Sequence, residues 1–142
     1  MIFPDVNILL YAHDVRSVFH DKAAKWLETS IANEQVFFSW QTITGFLRII
    51  TNPRSSSNPL SLTRAVQIVD SWLEMDNCHV VAFDKAHWPL FSSILLDGQA
   101  TGNLVMDAHI AASAVSCGAK VASSDRDFTR FKSIRLMNPF AS

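Results

Sequence analysis

The sequence predicts an α/β fold in which a parallel sheet of four to five strands is flanked by helices on both sides. Short apolar segments alternate with longer segments of helical periodicity, as is typical of parallel strands joined by helical crossovers. The chain has 142 residues, 49% hydrophobic and 18% charged, which suits one domain with a proper core. Aspartates follow two of the predicted strands, at the edge where α/β sheets place their ligand sites.

The first third of the chain predicts one strand and two helices. Residues 1–4 are apolar, and their strand is expected to end at Pro4, because proline cannot donate to a sheet ladder. Residues 8–11 begin a helix. Residues 17–33 predict a second helix, since apolar and charged side chains fall on opposite faces.

The middle of the chain predicts a strand, a helix, a loop and a further helix. Val36–Phe38 is the second predicted strand, and residues 41–51 predict a helix. Residues 52–61 contain two prolines and four serines, so we expect a mobile loop without a domain boundary. Residues 61–75 predict the next helix, with Ser61 as its cap. Its inward-facing side chains are expected to be Val66, Val69, Trp72 and Leu73.

The remaining strands lie in the second half of the chain. Residues 79–83 alternate little in polarity, which predicts a third strand covered on both faces, and residues 86–96 predict a helix. Lys120–Ala122 is the fourth predicted strand, and residues 134–137 predict a fifth at an edge of the sheet.

The helix that precedes the fourth strand is apolar almost all round and is therefore expected to be buried. Asn103 is its predicted N-cap, through a side chain that accepts from the first turn, and Gly118 supplies the left-handed residue that ends it. Asp107 lies in the second turn. A buried carboxylate must be paired, protonated or bound to a metal, so Asp107 is a candidate functional residue.

Composition restricts the classes of protein only partly. The formal net charge is −1, which gives no overall basic signature of nucleic-acid binding, although an acidic metal site would offset basic residues in the sum. Cys78 and Cys117 lack metal-ligand spacing and are expected to be core thiols in a reducing compartment. The sequence shows neither a signal peptide nor an apolar segment of membrane-spanning length. We expect a soluble, cytoplasmic protein.

The predicted topology directs four acids to the carboxyl edge of the sheet: Asp5, Asp107, Asp125 and Asp127. Carboxylates a few ångströms apart repel one another, and a divalent cation removes the conflict. Oxygen ligands without His or Cys favour Mg²⁺ or Mn²⁺ over Zn²⁺. Such cations activate water and neutralise charge in phosphodiester hydrolysis. The four acids are therefore candidate catalytic residues around such a cation.

The polar residues beside these acids allow two interpretations each. Asp5 could instead cap the following helix, and Asn7 could cap that helix or hold Asp5 from outside the ligand set. The hydroxyls of Ser123 and Ser124 could orient an attacking water or simply form a turn.

Basic residues follow the acidic loop. Arg126, Arg130 and Lys132 are candidate contacts to nucleic-acid phosphates, with a solvated basic rim as the alternative. Arg48 flanks the other side of the expected groove, and it could instead neutralise the acids or bind a partner's carboxylate. His109 points to a different helix face from Asp107, so we interpret it as a satisfied core or surface histidine.

Three segments of the sequence resemble one family. FPDVNILLYA near the start, GFLRIITNPR in the middle and TGNLVMDAHIAASAVSCGAKVASSDRDF near the end resemble PIN-domain ribonucleases, and more closely the VapC toxins of bacterial VapBC toxin–antitoxin pairs. The resemblance covers nearly the whole chain. It implies a PIN-like three-layer α/β/α sandwich over residues 1–142 as a single domain, and Mg²⁺- or Mn²⁺-dependent cleavage of RNA. It also implies a VapB-type antitoxin that blocks the toxin, and a homodimer.

The resemblance assigns roles by position. Asp5 matches the family's first acid, Asp107 its third, Asp125 its fourth and Asp127 a frequent extra acid, while Asn7 and Ser123 match polar positions beside the metal. The departure is Gly45, which stands where many PIN domains carry a glutamate. We therefore expect one well-bound Mg²⁺, held by Asp5, Asp107 and Asp125 with Asp127 assisting. Any second ion is expected to depend on RNA phosphate.

The sequence thus predicts a metal-dependent endoribonuclease toxin, with tRNA or rRNA as the expected substrate. One alternative is a catalytically weak PIN-like module that binds RNA or protein without cutting, which Gly45 favours. A phosphatase with Asp5 as nucleophile is disfavoured, because the acid expected two residues later is Asn7.

Overall fold

Five strands and six α-helices alternate along residues 1–141, the part of the chain that the computed structural model describes. The strands are β1 (Ile2–Pro4), β2 (Val36–Phe38), β3 (Cys78–Val80), β4 (Lys120–Ala122) and β5 (Leu136–Met137). The helices are α1 (Val6–His13), α2 (His20–Asn33), α3 (Trp40–Ile50), α4 (Leu62–Leu73), α5 (Trp88–Asp97) and α6 (Leu104–Cys117). Two short 3₁₀ helices, Lys85–His87 and Arg126–Arg130, precede α5 and follow β4.

The strands form one parallel sheet in the order β3-β2-β1-β4-β5, so β1 is central. The chain builds outward from β1 through β2 to β3, then returns to the other side of β1 for β4 and β5. This reversal leaves a crevice outside the carboxyl ends of β1 and β4, where doubly wound sheets bind ligands. The predicted parallel sheet and the edge position of the fifth strand are both confirmed.

Apolar side chains cover the two faces of the sheet with two separate cores. On one face Leu9, Phe46 and Trp72 pack with side chains of α2 and β2. On the other, Phe3 and Val121 pack against α5 and the alanines of α6. Helices therefore lie on both sides of the sheet, as the predicted three-layer sandwich requires.

Helix α4 presents a different face to the core from the predicted one. Its buried residues are Ala65, Ile68, Val69 and Trp72. Val66 and Leu73, predicted to face inward, are 44% and 39% exposed, so the prediction was wrong for these two. The spacing of the buried set is the i, i+3, i+4, i+7 stripe of an amphipathic helix, and it includes a small residue, Ala65, that the larger side chains obscured.

Several boundaries differ from the predicted ones. The helix predicted over residues 17–33 begins at His20. β3 ends at Val80, because its ladder with β2 stops at the pair Phe38↔Val80. The helix predicted over residues 86–96 begins at Trp88, where a proline in the first turn suits the fixed φ of that residue.

Helix α6 is buried along most of its length but open at its start. Asn103 forms no side-chain cap, and the loop carbonyls of residues 101–102 accept from the first helical amides instead; the predicted cap was wrong because Asn103 itself has helical dihedrals. Gly118 ends the helix with a φ of 72°, as predicted. Met106 is 53% exposed, which places the neighbouring Asp107 at the border between the core and solvent.

Both cysteines and all the helices of the described chain can be compared with what the sequence predicts for them. Cys78 and Cys117 are both free; Cys78 is buried as predicted, whereas Cys117 is only half-buried. None of the helices in residues 1–141 combines the length and the apolar character that a membrane crossing requires.

Candidate functional site

The ends of two adjacent strands position the first acids of the site. Asp5 directly follows β1, and Asp125 lies three residues after β4. The strands pair with Pro4 opposite Ala122, and the amide of Asp5 continues the ladder by donating to the Ala122 carbonyl at 2.9 Å. Parallel pairing therefore brings residues from opposite ends of the chain to one edge of the sheet.

Asp5 is held by a buried hydroxyl rather than by a helix end. Its side chain is 3% exposed, and its Oδ2 accepts a hydrogen bond of 2.8 Å from the Ser123 hydroxyl. Although Asp5 occupies the position before α1, its side chain makes no cap hydrogen bond. The amides of Val6 and Asn7 at the start of α1 lie near enough to favour the charged form of Asp5, but the hydrogen bond from Ser123 is what orients its carboxylate toward the acidic loop.

Asp107, Asp125 and Asp127 form a tight group. One carboxylate oxygen from each lies within 4.8 Å of the others. The 3₁₀ helix after β4 creates this group, because the amide of Asp127 donates to Oδ1 of Asp125 at 2.8 Å. Asp107 reaches the same point from α6. Asp127 is therefore in the tight group, although only an assisting role was expected for it, and Asp5 lies beside that group.

Burial and the crowding of these carboxylates together raise the pKa of Asp107 from 3.8 to about 7. Burial is the largest cause, followed by the charges of Asp5, Asp125 and Asp127. The Arg130 guanidinium opposes the shift.

The pKa of Asp5 is also raised, chiefly by burial, while the Ser123 hydrogen bond favours its charged form. The neighbouring acids therefore make ionisation of Asp5 and Asp107 harder, and a bound cation would reverse this.

The donor set suits a hard divalent cation. The acids of the tight group offer only carboxylate oxygens, and neither His nor Cys joins them among residues 1–141. Hard oxygen donors favour Mg²⁺ or Mn²⁺. The residues present thus fit the kind of cation that the sequence predicts.

The basic residues fall into two groups. Arg130 is partly buried: its Nη1 donates to the Gly98 carbonyl at 2.9 Å, and its buried Nε has no hydrogen-bond partner within residues 1–141. Arg126, Lys132 and Arg48 are exposed. Arg130 therefore acts on the acids from a fixed position, whereas the other three are free to meet a ligand.

A cavity of about 200 Å³ adjoins the acids and extends between α1, α3 and α6. Its lining includes Asp5, Asp107 and Asn7 together with Gln41, Thr42, Gly45, Arg48 and Met106. Sequence reasoning found the acids, Asn7 and Arg48 but missed Gln41 and the cavity itself. The spacing i, i+4, i+7 of Gln41, Gly45 and Arg48 places them on one helix face, and that signal could have found them.

His109 lies outside this site. Its ring packs between Phe83 and Phe91, with centroid distances of 4.8 and 5.2 Å. It is a core histidine, as predicted, but it is not satisfied, because its buried Nδ1 has no hydrogen-bond partner in the described part of the chain.

Comparison with known proteins places these observations in a family. The family model described as PIN domain matches residues 2–134. Ribonuclease VapC48 of Mycobacterium tuberculosis is 33% identical over 139 residues, covering 96% of each chain. Ribonuclease VapC43 of the same species is 35% identical over 141 residues, covering 98% of this chain and 95% of the relative.

Solved structures share the fold at lower identity. VapBC2 from Rickettsia felis, bound to a DNA fragment from its promoter, aligns with a TM-score of 0.69 at 17% identity, over 97% of this chain and 98% of the other. M. tuberculosis VapC20, a Sarcin-Ricin loop cleaving toxin, aligns with a TM-score of 0.70 at 14% identity, over 95% and 99% of the two chains. These two likenesses establish the fold.

Proposed function

The chain belongs to the PIN-domain family and, within it, to the VapC ribonucleases, and on that premise we propose that it is a metal-dependent endoribonuclease that acts as the toxin of a toxin–antitoxin pair. The observation that carries the proposal is the meeting of Asp107, Asp125 and Asp127, whose oxygens lie within 4.8 Å of one another. The buried carboxylate of Asp5 stands beside them.

These acids would hold the cation, which we propose to be Mg²⁺ or Mn²⁺. When bound, such a cation lowers the pKa of water and neutralises charge that develops on a phosphodiester. Ser123 orients Asp5 through its hydroxyl. Arg130 lowers the pKa of Asp107 and so keeps that carboxylate available. The role of the chain is thus to fix four acidic side chains and to hold their charge.

We propose that exposed basic residues position the RNA. Arg126 and Lys132 flank the acidic loop on one side, and Arg48 lies at the rim of the cavity on the other. Cations on both sides of the acids suit a backbone that crosses them, because phosphate contacts set the register of a nucleic acid. Ribosomal RNA and tRNA are the proposed substrate classes, and the cytoplasm the proposed compartment.

The partners are proposed from the relatives. A structural neighbour from Klebsiella pneumoniae is a toxin–antitoxin complex, and we infer that this chain likewise binds a VapB-type antitoxin. We also propose a homodimer, which light scattering on the purified protein would test.

The function is tested by incubating purified protein with total tRNA and with ribosomal RNA. We expect Mg²⁺- or Mn²⁺-dependent cleavage that EDTA stops, with 5′-phosphate and 3′-hydroxyl ends. The matched control is Asp125→Asn, which keeps the size of the side chain and removes its charge. Cleavage that persists in EDTA, or in Asp125→Asn at the wild-type rate, would contradict the proposal.

Gly45 favours a second candidate, a PIN-like module that binds RNA or protein and cuts weakly. Its helix, α3, lines the cavity beside the acids but contributes no carboxylate to it. RNA that is bound but left intact in the presence of Mg²⁺ would support this candidate instead.

A further inference from the structure

Gly45 lies in the interior of α3, where glycine is less favourable than alanine because it loses more backbone freedom on folding. Such a glycine usually has a packing reason. At position 45 the fold does not supply one, because a Cβ would lie 3.5 and 3.8 Å from the nearest atoms, both on the Val6 side chain. These are ordinary contact distances, so alanine would fit the folded chain.

The absent side chain instead enlarges the cavity beside the acids. Gly45 lines that cavity together with Asp5 and Asp107. Apolar atoms of Val6, Ile49 and Met106 form much of its wall. A side chain at position 45 would project into a space of about 200 Å³.

Two unengaged polar side chains stand on the same helix face. Gln41 and Arg48 form no side-chain hydrogen bond or ion pair within residues 1–141, and both are exposed. Thr42 differs, because its hydroxyl already donates to the Ser39 carbonyl at 2.8 Å. The cavity therefore combines an apolar wall with a free amide and a free guanidinium beside a cation site.

This combination suits a nucleobase, which has apolar faces and a polar edge. We propose that the cavity receives the base of a nucleotide next to the scissile phosphate, and that Gly45 keeps it open while Gln41 meets the edge of the base. The inference rests on the proposed ribonuclease function and adds a base preference to it. The exposed guanidinium of Arg48 at the rim suits a nucleotide in particular, because it can contact the phosphate attached to the base in the cavity.

The first test separates ligand binding from folding. Gly45→Ala is expected to raise the melting temperature by a few degrees, because alanine favours the helix, while it lowers the rate of RNA cleavage. Thr44→Ala is the matched control on the same helix: Thr44 is exposed and does not line the cavity. It should keep the wild-type rate and base preference.

The second test fills the cavity. Gly45→Leu should lower cleavage of a random-sequence RNA pool by about tenfold or more, since buried contacts to a base are of that order. The sequenced fragment ends should lose the base preference of the wild type beside the cut. A Gly45→Leu protein that cuts with the wild-type rate and preference overturns the proposal and leaves the cavity to a side chain of a protein partner.

A binding measurement separates this inference from the proposed function. We expect the ¹³C-methyl resonance of Met106 to shift when at least one of the four nucleoside 5′-monophosphates is added with Mg²⁺, and not in Gly45→Leu. Met75, which does not line the cavity, is an internal control. A Met106 shift in a protein that cuts no RNA would support the assignment of the cavity and contradict the proposed ribonuclease function. Cleavage without any Met106 shift would support the ribonuclease function and contradict the assignment of the cavity.

Discussion

The Ser123 hydroxyl donates a hydrogen bond of 2.8 Å to Oδ2 of Asp5, across 118 positions of the chain. The oxygen of the Ser123 hydroxyl also accepts a hydrogen bond of 3.0 Å from the amide of Asp125. One serine thus connects the acid after β1 to the acidic loop after β4, and it is 2% exposed. The bond to the Asp125 amide closes a turn, as one interpretation of Ser123 expected, while the bond to Asp5 is a positioning contact that neither interpretation included.

Ser123→Ala should therefore weaken the site without unfolding the protein. Loss of a hydrogen bond that orients a metal ligand typically lowers metal affinity or activity by about 10- to 100-fold. Mn²⁺ affinity by calorimetry and the rate of RNA cleavage would measure the loss. Ser124→Ala is the comparison, because its side chain makes no hydrogen bond within residues 1–141. Equal losses in the two variants would contradict the positioning role.

Asp5→Asn should abolish RNA cleavage and leave the fold intact. The asparagine side chain keeps an oxygen that can accept from Ser123. It lacks the buried charge of Asp5, a carboxyl group whose pKa burial already raises. The melting temperature of the metal-free protein should thus stay the same or rise. Cleavage assays and thermal unfolding on the same preparation check both parts. A variant that loses activity only because it is unfolded would not support the assignment.

The stability of the metal-free protein should depend on pH through the ionisation of Asp107. Its pKa is raised from 3.8 to about 7, so the folded protein keeps a proton that the unfolded chain releases. The stability from this group is fully present below pH 3.8 and is lost as the pH rises through about 7. The melting temperature should therefore fall over this range more steeply in the wild type than in Asp107→Asn.

Metal binding should restore the stability that the protein loses when Asp107 ionises. A cation binds the carboxylate, so its binding releases a proton near neutral pH and its affinity rises with pH. Calorimetry of Mn²⁺ binding in buffers of different ionisation enthalpy would count the protons. Burial lowers the pKa values of His13 and His109, which makes stability rise with pH, opposite to the effect of Asp107. This contribution is the same in the wild type and in Asp107→Asn. Identical pH profiles for the two proteins would contradict the prediction.

Substitutions of Arg130 and of Arg126 should differ in their effects on metal binding and on RNA binding. Because the Arg130 guanidinium lowers the pKa of Asp107, Arg130→Gln should raise that pKa further and shift the pH dependence of Mn²⁺ binding in the absence of RNA to higher pH. Arg126→Gln, at an exposed position, should leave Mn²⁺ binding unchanged. It should instead lower the salt dependence of RNA binding by about 0.7 in the slope of log K against log salt. A pH profile of Mn²⁺ binding that shifts equally in both variants would contradict this division.

Gly98→Ala should disturb the acidic loop from a distance. A Cβ at position 98 would lie 2.6 Å from the Phe131 ring, and the Gly98 carbonyl accepts from Arg130. Overpacking of this kind costs about 1–3 kcal/mol. Chemical unfolding would measure the cost, and a double-mutant cycle with Phe131→Leu should show a smaller penalty. Additive effects of the two substitutions would contradict the steric explanation.

Some features of the site followed directly from residue order. Apolar segments alternating with helices imply parallel strands, and parallel strands bring their carboxyl ends to one edge, so Asp5 and Asp125 were expected to be neighbours. Other features had no local signal. Asn103 has the residue type of a cap but helical dihedrals, and Val66 has the residue type of a core residue but points to solvent.

The sequence by itself determined the α/β class, the end of α6 at Gly118 and the acids that reach the sheet edge, because periodicity and strand polarity are local properties. Tertiary structure alone decided that Asp127 joins the tight group, that Ser123 connects Asp5 to the acidic loop, and that a cavity opens at Gly45. The reason is physical: such distances depend on the register between β1 and β4 and on how α3 and α6 pack across the sheet, and no segment carries that information by itself.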